Sequence, residues 1–175
     1  MIVFETERLI VRHYNEDDRE NFFLINGDEE IMQYIRKPKT REECDQFLDE
    51  ILAGYTGAME QGRWAAEEKL TGNFIGSFVI VPIPEQPEKI QLGYALLKDH
   101  WGKGYATELT RSGLRFAFDQ LGLEIIYGVT EIPNIASQKV LLKSGFKNAG
   151  RFVENEKELL LFSITNAGWQ IIGSK

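Results

Sequence analysis

The sequence is poor in several residue types, and each shortage excludes a kind of protein. Its only cysteine, Cys44, can form neither an internal disulfide nor a metal site built from several cysteines, which fits a reducing, cytoplasmic compartment. No run of about 18 apolar residues is present. Glu5 and Glu7 stand where a signal peptide would be basic and then apolar, so we expect a cytoplasmic protein without a membrane partner.

Basic residues are outnumbered as well. The chain of 175 residues has 20 Lys and Arg against 27 Asp and Glu, for a net charge of −7. Because a nucleic-acid binder needs a basic surface to neutralise phosphates, we expect no nucleic-acid partner. An acidic protein attracts amines and cationic peptides instead. The histidines, His13 and His100, lack a metal-ligand spacing, so we expect no metal cofactor.

Hydrophobic residues make up 43% of the chain, enough for the core of one domain, and we expect residues 1–175 to form that single domain. Apolar residues recur at helical spacing in some segments and alternate in others. The predicted helices cover residues 15–26, a short stretch before Pro38, and residues 40–61, 105–121 and 134–145. The predicted strands cover residues 8–14, 64–67, 73–81, 89–97, 125–130, 146–151 and 158–164, with residues 82–88 as a surface loop.

Local signals support several of these elements. Asn15 is a typical N-cap, and Thr40 with Glu43 matches the capping box, in which two side chains satisfy backbone donors at a helix start. Apolar residues at three- and four-residue steps between Phe47 and Met59 indicate one buried helix face. The strand, helix and strand order across residues 89–130 predicts a parallel pair. We therefore predict one mixed sheet, of the α/β or α+β class, with helices on its faces.

A glycine turn precedes the helix that is predicted to start at Tyr105. Gly102 and Gly104 have no Cβ atoms, so backbone N–H groups at the helix start can point at an anion such as a diphosphate. The fingerprint of dinucleotide-binding proteins is incomplete, because Thr107 stands where its third glycine would be. The turn alone therefore leaves two interpretations open, an anion site or a tight turn that binds nothing.

A second polar segment reaches the same edge of the predicted sheet. Asn134 and Ser137 begin the helix that follows the parallel partner strand. The carboxyl ends of parallel strands meet at one edge, and ligands of α/β folds bind there. Two such segments at one edge favour a ligand site.

Two motifs, GYALLKDHWGKGYATEL and PNIASQKVLLKSGF, resemble the acetyl-coenzyme A signature of the GNAT superfamily of N-acetyltransferases. The segments ETERLIVRHYNEDD and GNFIGSF resemble the Rim-type subgroup, whose named members acetylate the amino termini of ribosomal proteins. The resemblance covers nearly the whole chain. It implies a mixed, mostly antiparallel sheet with helices on both faces, whose central parallel pair is splayed around the cofactor.

The resemblance also implies which residues bind the cofactor. The pantetheine arm would lie against the strand that carries Leu96 and Leu97, and one of their backbone N–H groups would polarise the acetyl carbonyl. Asn134 would contact the cofactor arm, and Ser137 would donate a proton to the departing thiolate. Ser137 is also open to a second interpretation, a first-turn serine that bonds locally. The diphosphate would bind the backbone of Gly102, Lys103, Gly104, Tyr105 and Ala106, with Thr107 beside it.

Two positions depart from the family pattern. Leu141 stands where many members carry a tyrosine acid, and Gln91 lies in the strand region where several members carry a catalytic glutamate. Glu67, Glu68 and Glu131 are the remaining candidates for relaying a proton, although most surface glutamates are only solvated charges.

The activity that the resemblance implies is transfer of an acetyl group from acetyl-coenzyme A to a primary amine by direct attack. The amine belongs to a protein amino terminus or to a small molecule, and we expect residues 22–35 to shape its pocket. The changed positions favour one alternative, a non-catalytic module that binds or senses acyl-coenzyme A. A nucleotide-binding regulatory domain is a third interpretation. A homodimer is the default expectation for the assembly.

Overall fold

The computed structural model describes residues 1–57 and 60–173. The strands are β1 (Ile2–Glu5), β2 (Leu9–Arg12), β3 (Gly62–Glu68), β4 (Phe74–Ile83), β5 (Gln86–Leu96), β6 (Ile125–Glu131), β7 (Lys147–Glu154) and β8 (Lys157–Thr165). The α-helices are α1 (Arg19–Asn26), α2 (Glu29–Met32), α3 (Arg41–Gly54), α4 (Tyr105–Asp119), α5 (Ile135–Lys143) and α6 (Asn166–Gly173). Two short 3₁₀ helices, Glu16–Asp18 and Lys98–His100, precede α1 and α4.

The eight strands form one sheet in the order β1-β2-β3-β4-β5-β6-β8-β7. β5 and β6 run parallel, and the other neighbouring pairs run antiparallel. This confirms the mixed, mostly antiparallel sheet with a central parallel pair. The crossover between the parallel strands is α4, as the order of elements predicts.

Alternating side chains of β3 show how the sheet is covered. Trp64 and Ala66 belong to a core cluster that also contains Leu109 and Leu114 of α4. Ala65 belongs to a second cluster, formed with residues of α1, α2 and α3. Because successive side chains of a strand point to opposite faces, α4 covers one face of the sheet and α1, α2 and α3 cover the other.

The predicted helix caps are present. The Asn15 side chain accepts the Asp17 N–H at 2.9 Å, while the Asn15 N–H donates to Asp18 at 2.9 Å. The Thr40 hydroxyl accepts the Glu43 N–H at 3.2 Å, and the Thr40 N–H donates to the Glu43 carboxylate at 2.8 Å. Both reciprocal pairs satisfy backbone donors that a helix start leaves without partners.

The helix predicted over residues 40–61 is too long. α3 ends at Gly54, and Tyr55 has an extended backbone with ψ of 111°. The Tyr55 hydroxyl donates to the carbonyl of Arg63 at 2.6 Å and accepts the N–H of Tyr14 at 3.1 Å. These tertiary bonds hold the chain against β2 and β3 in place of a further helical turn. Met59, the last residue of the predicted apolar stripe, lies outside the described residues.

The surface loop predicted over residues 82–88 is also wrong. β4 continues to Ile83 and β5 begins at Gln86, so the connection consists of Pro84 and Glu85. The register shifts between Pro82 and Ile83, as it does at a β-bulge. A proline has no N–H for the ladder and is tolerated beside such an irregularity, which is why its presence did not end the strand.

Two terminal elements have no counterpart among the predicted ones. β1 pairs antiparallel with β2, and α6 follows β8 directly. A strand of four residues shows too few alternations to be distinguished from a loop. Among the helices formed by residues 1–57 and 60–173, none has both the length and the apolarity to cross a membrane.

Candidate active site

The parallel strands β5 and β6 separate soon after they meet. Their ladder contains one residue pair, Gln91 with Tyr127. Beyond it, β6 stays paired with β8 as far as Glu131, and β5 stays paired with β4 as far as Leu96. Each strand keeps its outer neighbour and loses the inner one, so a gap opens toward their carboxyl ends. This is the splayed parallel pair that the resemblance implies.

A cavity of about 1000 Å³ runs through this gap. It is lined by side chains from both faces of β5, which means that it joins the α4 side of the sheet to the side covered by α1, α2 and α3. The β5 residues in its wall are Gln91, Leu92, Gly93, Tyr94, Ala95 and Leu96.

The glycine turn lies at the α4 end of the cavity. Gly102 and Gly104 have φ of 72° and 83°, in the left-handed region that favours glycine. Gly104 is the N-cap of α4, and no side chain caps this helix. A Cβ placed on Gly102 would meet no protein atom within 4 Å. Uncapped backbone donors facing open space are what a coenzyme A diphosphate needs, so the turn fits that group.

The residues predicted to bind the cofactor fall into two groups. Some line the cavity, and others are their neighbours in sequence but do not line it. The lining group is Leu96, Gly102, Tyr105, Ala106, Asn134 and Ser137, and the group outside the lining is Leu97, Lys103, Gly104 and Thr107.

The Arg8 side chain contacts the backbone of the glycine turn. Its guanidinium donates to the Lys103 carbonyl at 3.0 Å and to the Glu108 carboxylate at 2.7 Å, and lies 4.3 Å from the ring centre of Tyr105. Desolvation raises the pKa of Glu108, but hydrogen bonds from Thr6 and Arg8 outweigh it and hold that pKa below its usual value. The carboxylate therefore stays ionised and keeps the brace.

Ser137 lies at the start of α5 beside two other polar groups. The Asn134 side chain accepts the Ser137 N–H at 3.1 Å and caps the helix. The Ser137 side chain lies near the side chain of Tyr94 on β5, and both line the cavity. Burial raises the pKa of Tyr94, and the neighbouring Ser137 side chain lowers it only in part. Tyr94 is a potential proton donor in the cavity that the sequence reading missed.

The two leucines at the end of β5 have different backbone environments. The Leu97 N–H already donates to the Ile75 carbonyl at 2.9 Å. Backbone groups of successive strand residues point to opposite sides, so the Leu96 N–H faces the gap. The Trp101 indole N–H donates to the Leu96 carbonyl at 2.8 Å and closes this corner of the cavity. The geometry favours Leu96 over Leu97 as a donor to a ligand in the gap.

The candidate proton relays do not converge on the cavity. Glu67 is paired with Arg12, and Glu68 accepts the Tyr105 hydroxyl, which lowers the pKa of Glu68. Neither glutamate lines the cavity. Glu131 does line it, but its carboxylate is paired with Lys157 at 2.7 Å.

Leu141, at the position where many family members carry a tyrosine, is packed in the core. Leu141 is 3% exposed, and a Cβ placed on Gly128 of β6 would lie 2.6 Å from its Cδ2 atom. The leucine fills the space that the glycine leaves. A tyrosine near Ser137 is provided instead by Tyr94, on the β5 side of the gap.

The opposite end of the cavity is formed by residues 22–35, together with side chains of β3 and β4. Phe22, Ile31 and Tyr34 contribute from the helical side, and Arg63 and Ser77 contribute from the sheet. Residues in the range 22–35 therefore line the cavity, and their role in binding the acceptor stays a prediction. The strand residues were not anticipated, although the alternation of β3 places Arg63 on the same face as Ala65. No group of metal-binding side chains occurs in residues 1–57 and 60–173.

Comparison with known proteins identifies the class. Residues 8–147 match the family described as Acetyltransferase (GNAT) domain. The chain is 28% identical to the uncharacterized N-acetyltransferase YoaA of Bacillus subtilis over 151 residues, which covers 85% of this chain and 84% of that protein. It is also 28% identical to the FsC-acetyl coenzyme A-N(2)-transacetylase of Aspergillus fumigatus, with 94% of this chain and 76% of that protein covered.

Solved structures share the fold at low sequence identity. The spermidine N-acetyltransferase of Vibrio cholerae, in complex with CoA and spermine, superposes with a TM-score of 0.79 at 20% identity and covers 93% of this chain and 98% of its own. RimL, the ribosomal L7/L12 alpha-N-protein acetyltransferase in complex with coenzyme A, has a TM-score of 0.77 at 12% identity, with coverages of 94% and 98%.

The fold and site thus define an acetyltransferase. The family match spans most of the chain, and the chain belongs to the GNAT acetyltransferase family.

Proposed function

We propose that this acetyltransferase moves the acetyl group of acetyl-coenzyme A to a primary amine by direct attack of the amine on the thioester. The observation that carries the proposal is a continuous cavity that crosses the sheet through the β5–β6 gap. Its α4 end presents the glycine turn, and its other end is enclosed by residues 22–35. A donor and an acceptor can therefore enter from opposite faces and meet beside β5.

The cofactor end supports the binding assignment. We assign the diphosphate to the backbone of Gly102, Lys103, Gly104, Tyr105 and Ala106, with Thr107 beside it. Each charge-assisted backbone hydrogen bond there would contribute about 1.5–3 kcal/mol. We assign the pantetheine arm to the gap, where β5 lacks a neighbour, and the Asn134 amide to a contact with that arm.

Residues of this chain can supply the oxyanion donor and the proton donors that acetyl transfer requires. Acetyl-coenzyme A supplies an activated acyl group, whose carbonyl oxygen gains negative charge when the amine adds. We assign the Leu96 N–H as the donor to that oxygen, because the Leu97 N–H is engaged with Ile75. The nitrogen–carbon bond forms as the carbon–sulfur bond breaks. The Ser137 hydroxyl then gives a proton to sulfur and recovers one from Tyr94, whose supply is restored by the proton that the amine releases.

In this scheme a weak base is enough to take the proton from the acceptor amine. The β5 residue at the start of the gap is Gln91, and Glu67 and Glu68 lie outside the cavity lining. An α-amino group, with a pKa of about 8, is partly neutral at physiological pH. A lysine side chain, with a pKa of about 10.4, requires a stronger base to lose its proton. Water in the cavity can accept the proton from an acceptor of the first kind.

The acceptor class is a narrower part of the proposal. The relatives and neighbours are named for several amines, including spermidine and a ribosomal protein amino terminus. We retain protein amino termini, as in the Rim-type subgroup, and small amines as the two acceptor classes. Strands on both sides of the β5–β6 gap line one cavity, which supports residues 1–175 as one acetyltransferase domain. A cytoplasmic location and a homodimer stay predictions.

The test is thiol release from acetyl-coenzyme A with a panel of amino-terminal peptides and small amines, together with calorimetric titration of the cofactor. The proposal expects micromolar cofactor binding and amine-dependent release of free thiol. Binding without turnover on any amine would favour an acyl-coenzyme A sensor. Affinity for ATP or NAD and none for coenzyme A would favour a nucleotide-binding regulatory domain.

A further inference from the structure

Two arginine side chains meet at the acceptor end of the cavity. Arg36 follows α2, Arg63 lies at the start of β3, and both line the cavity wall. Their guanidinium carbons lie 5.5 and 5.4 Å from the ring centre of Phe47. The ammonium group of Lys39 lies 5.3 Å from the same ring. One aromatic ring therefore gathers three positive charges in a protein whose net charge is −7.

Neither cavity arginine has an anionic partner within residues 1–57 and 60–173. Several other arginines of the chain are paired with carboxylates. Arg12 contacts Asp18 and Glu67, and Arg8 contacts Glu108. No carboxylate in the described part of the chain lies within ion-pair distance of the two cavity guanidinium groups. Their positive charge is thus left for something outside the protein.

The surroundings make this charge unfavourable without a ligand. Burial lowers the pKa of Arg36 and Arg63, and the charge of Arg36 lowers that of Arg63 further. Arg36 is exposed as a whole residue and Arg63 is half-buried, and both line the cavity wall. Arginine stays protonated in proteins, so both groups remain cations. A bound anion would offset their repulsion and lost hydration.

The cavity's own carboxylates do not supply that anion. Glu30 is paired with Lys98 at 3.1 Å. Glu131 and Glu154 lie on β6 and β7, three or more strands away from β3 in the sheet order. With about 4.8 Å between neighbouring strands, three strands correspond to about 14 Å.

The cofactor's diphosphate does not supply it either. Arg63 shares a face of β3 with Ala65, which packs toward α1, α2 and α3, whereas the glycine turn leads into α4 on the opposite face. On its own face, Arg63 is registered with Val79, and Val79 with Gly93 of β5. This row places Arg63 about 10 Å from β5, on the side where the acceptor enters.

We propose that Arg36 and Arg63 form a carboxylate subsite, and that the preferred acceptor is a primary amine that carries a carboxylate group near the reacting nitrogen. The inference rests on the proposed amine acetylation. Guanidinium forks match carboxylates in shape and charge. Tyr14 and Ser77, whose hydroxyls are bonded to each other, line the same wall and add a neutral donor. A polyamine would add positive charge to a wall that already carries two arginines, and the repulsion disfavours a polyamine as the acceptor.

The carboxylate can belong to an amino acid or to the side chain of a peptide's second residue, and matched acceptors distinguish these sources. We would compare ω-amino carboxylates of increasing length with their carboxamides and with diamines of equal length, and Ser-Asp peptides with Ser-Asn peptides. Thiol release should give a kcat/KM for the best carboxylate that exceeds its carboxamide by about tenfold to a hundredfold. Equal values throughout, or a preference for diamines, would overturn the inference.

The arginines are tested by the ratio between the two acceptor types. In Arg36→Gln and Arg63→Gln, the carboxylate preference should fall toward one. Arg115→Gln makes the same charge change on the exposed side of α4 and should retain the preference. The ratio is insensitive to general loss of active protein, which would lower both rates together. A preference retained in both cavity variants would exclude the subsite.

Direct binding separates this inference from the proposed function. Glutarate titrated calorimetrically should bind the wild type and Arg115→Gln, and should not bind the Arg36→Gln/Arg63→Gln double variant. Acetyl-coenzyme A binding in the same double variant reports whether it is folded. Glutarate binding with no acetylation of any amine would refute the proposed function and support the anion subsite. Acetylation of amines with no glutarate binding and no carboxylate preference would refute the subsite alone.

Discussion

The guanidinium of Arg8 donates to the carbonyl oxygen of Lys103 at 3.0 Å, and so the start of β2 is tied to the glycine turn. The same side chain is bonded to Glu108 in the first turn of α4. Arg8 is half exposed, and an exposed ion pair contributes roughly 0–1 kcal/mol to folding. Its larger effect is to fix the orientation of the Lys103 peptide, and with it the N–H groups of the turn.

Replacing Arg8 should therefore weaken cofactor binding more than it weakens the fold. In Arg8→Gln, we expect the Kd for acetyl-coenzyme A to rise by about three- to tenfold, the equivalent of one misplaced hydrogen bond. Calorimetric titration measures the Kd. Arg41→Gln is the matched control, because Arg41 pairs with Glu20 on the surface away from the turn. Equal Kd values for the two variants would show that the brace is irrelevant to the turn.

Gly104→Val should abolish cofactor binding. Gly104 has φ of 83°, where a β-branched residue is strained by about 1–2 kcal/mol, and its Cβ would lie 3.5 Å from the Arg8 guanidinium, so the branched side chain would disturb the contact that orients the turn. Gly122→Val introduces the same kind of strain at φ of 65° beyond the other end of α4, where a Cβ meets no atom within 4 Å. Normal cofactor affinity in Gly104→Val would refute the diphosphate assignment. Loss in both variants would attribute the effect to folding.

Ser137→Ala and Tyr94→Phe should lower kcat by about ten- to a hundredfold and change the cofactor Kd little, because each removes a proton donor used after binding. The two side chains are neighbours in the cavity wall and act on the same proton in the proposed mechanism. The double variant should therefore lose much less than the product of the two single effects. Stopped assays of thiol release under saturating substrates give kcat. An unchanged rate in Ser137→Ala would remove that residue from the mechanism.

The pH dependence should follow the acceptor. Burial raises the pKa of Tyr94, so its hydroxyl keeps its proton to higher pH than an ordinary tyrosine, whose pKa is about 10. Activity should therefore rise with pH as the acceptor amine loses its proton, and should fall only at strongly alkaline pH. Profiles of kcat/KM for two acceptors with different amine pKa values test this. A rising limb with the same midpoint for both acceptors would reveal an enzyme base instead.

Several features could be read from local sequence because local chemistry produces them. Gly102 and Gly104 are required by their left-handed backbone, and Asn134 caps α5 through a neighbour three residues away. Thr40 and Glu43 satisfy each other's backbone groups within one turn. Such signals depend on a few adjacent residues. The prediction was wrong at Tyr55, which bonds to distant residues in place of a helical turn, and at Pro82, which a register shift within β4 accommodates.

What the sequence by itself determined is the mixed sheet, its parallel pair and the glycine turn before α4, since periodicity, caps and glycines are local and their order restricts the topology. Only the tertiary structure decided which groups meet in the cavity. Tyr94 reaches Ser137 across the gap, and Leu96 faces that gap while Leu97 is bonded to β4. Arg36 after α2 and Arg63 in β3 both lie against the ring of Phe47 in α3. Such meetings depend on strand register and on the packing of α2 and α3, which no single stretch of sequence encodes.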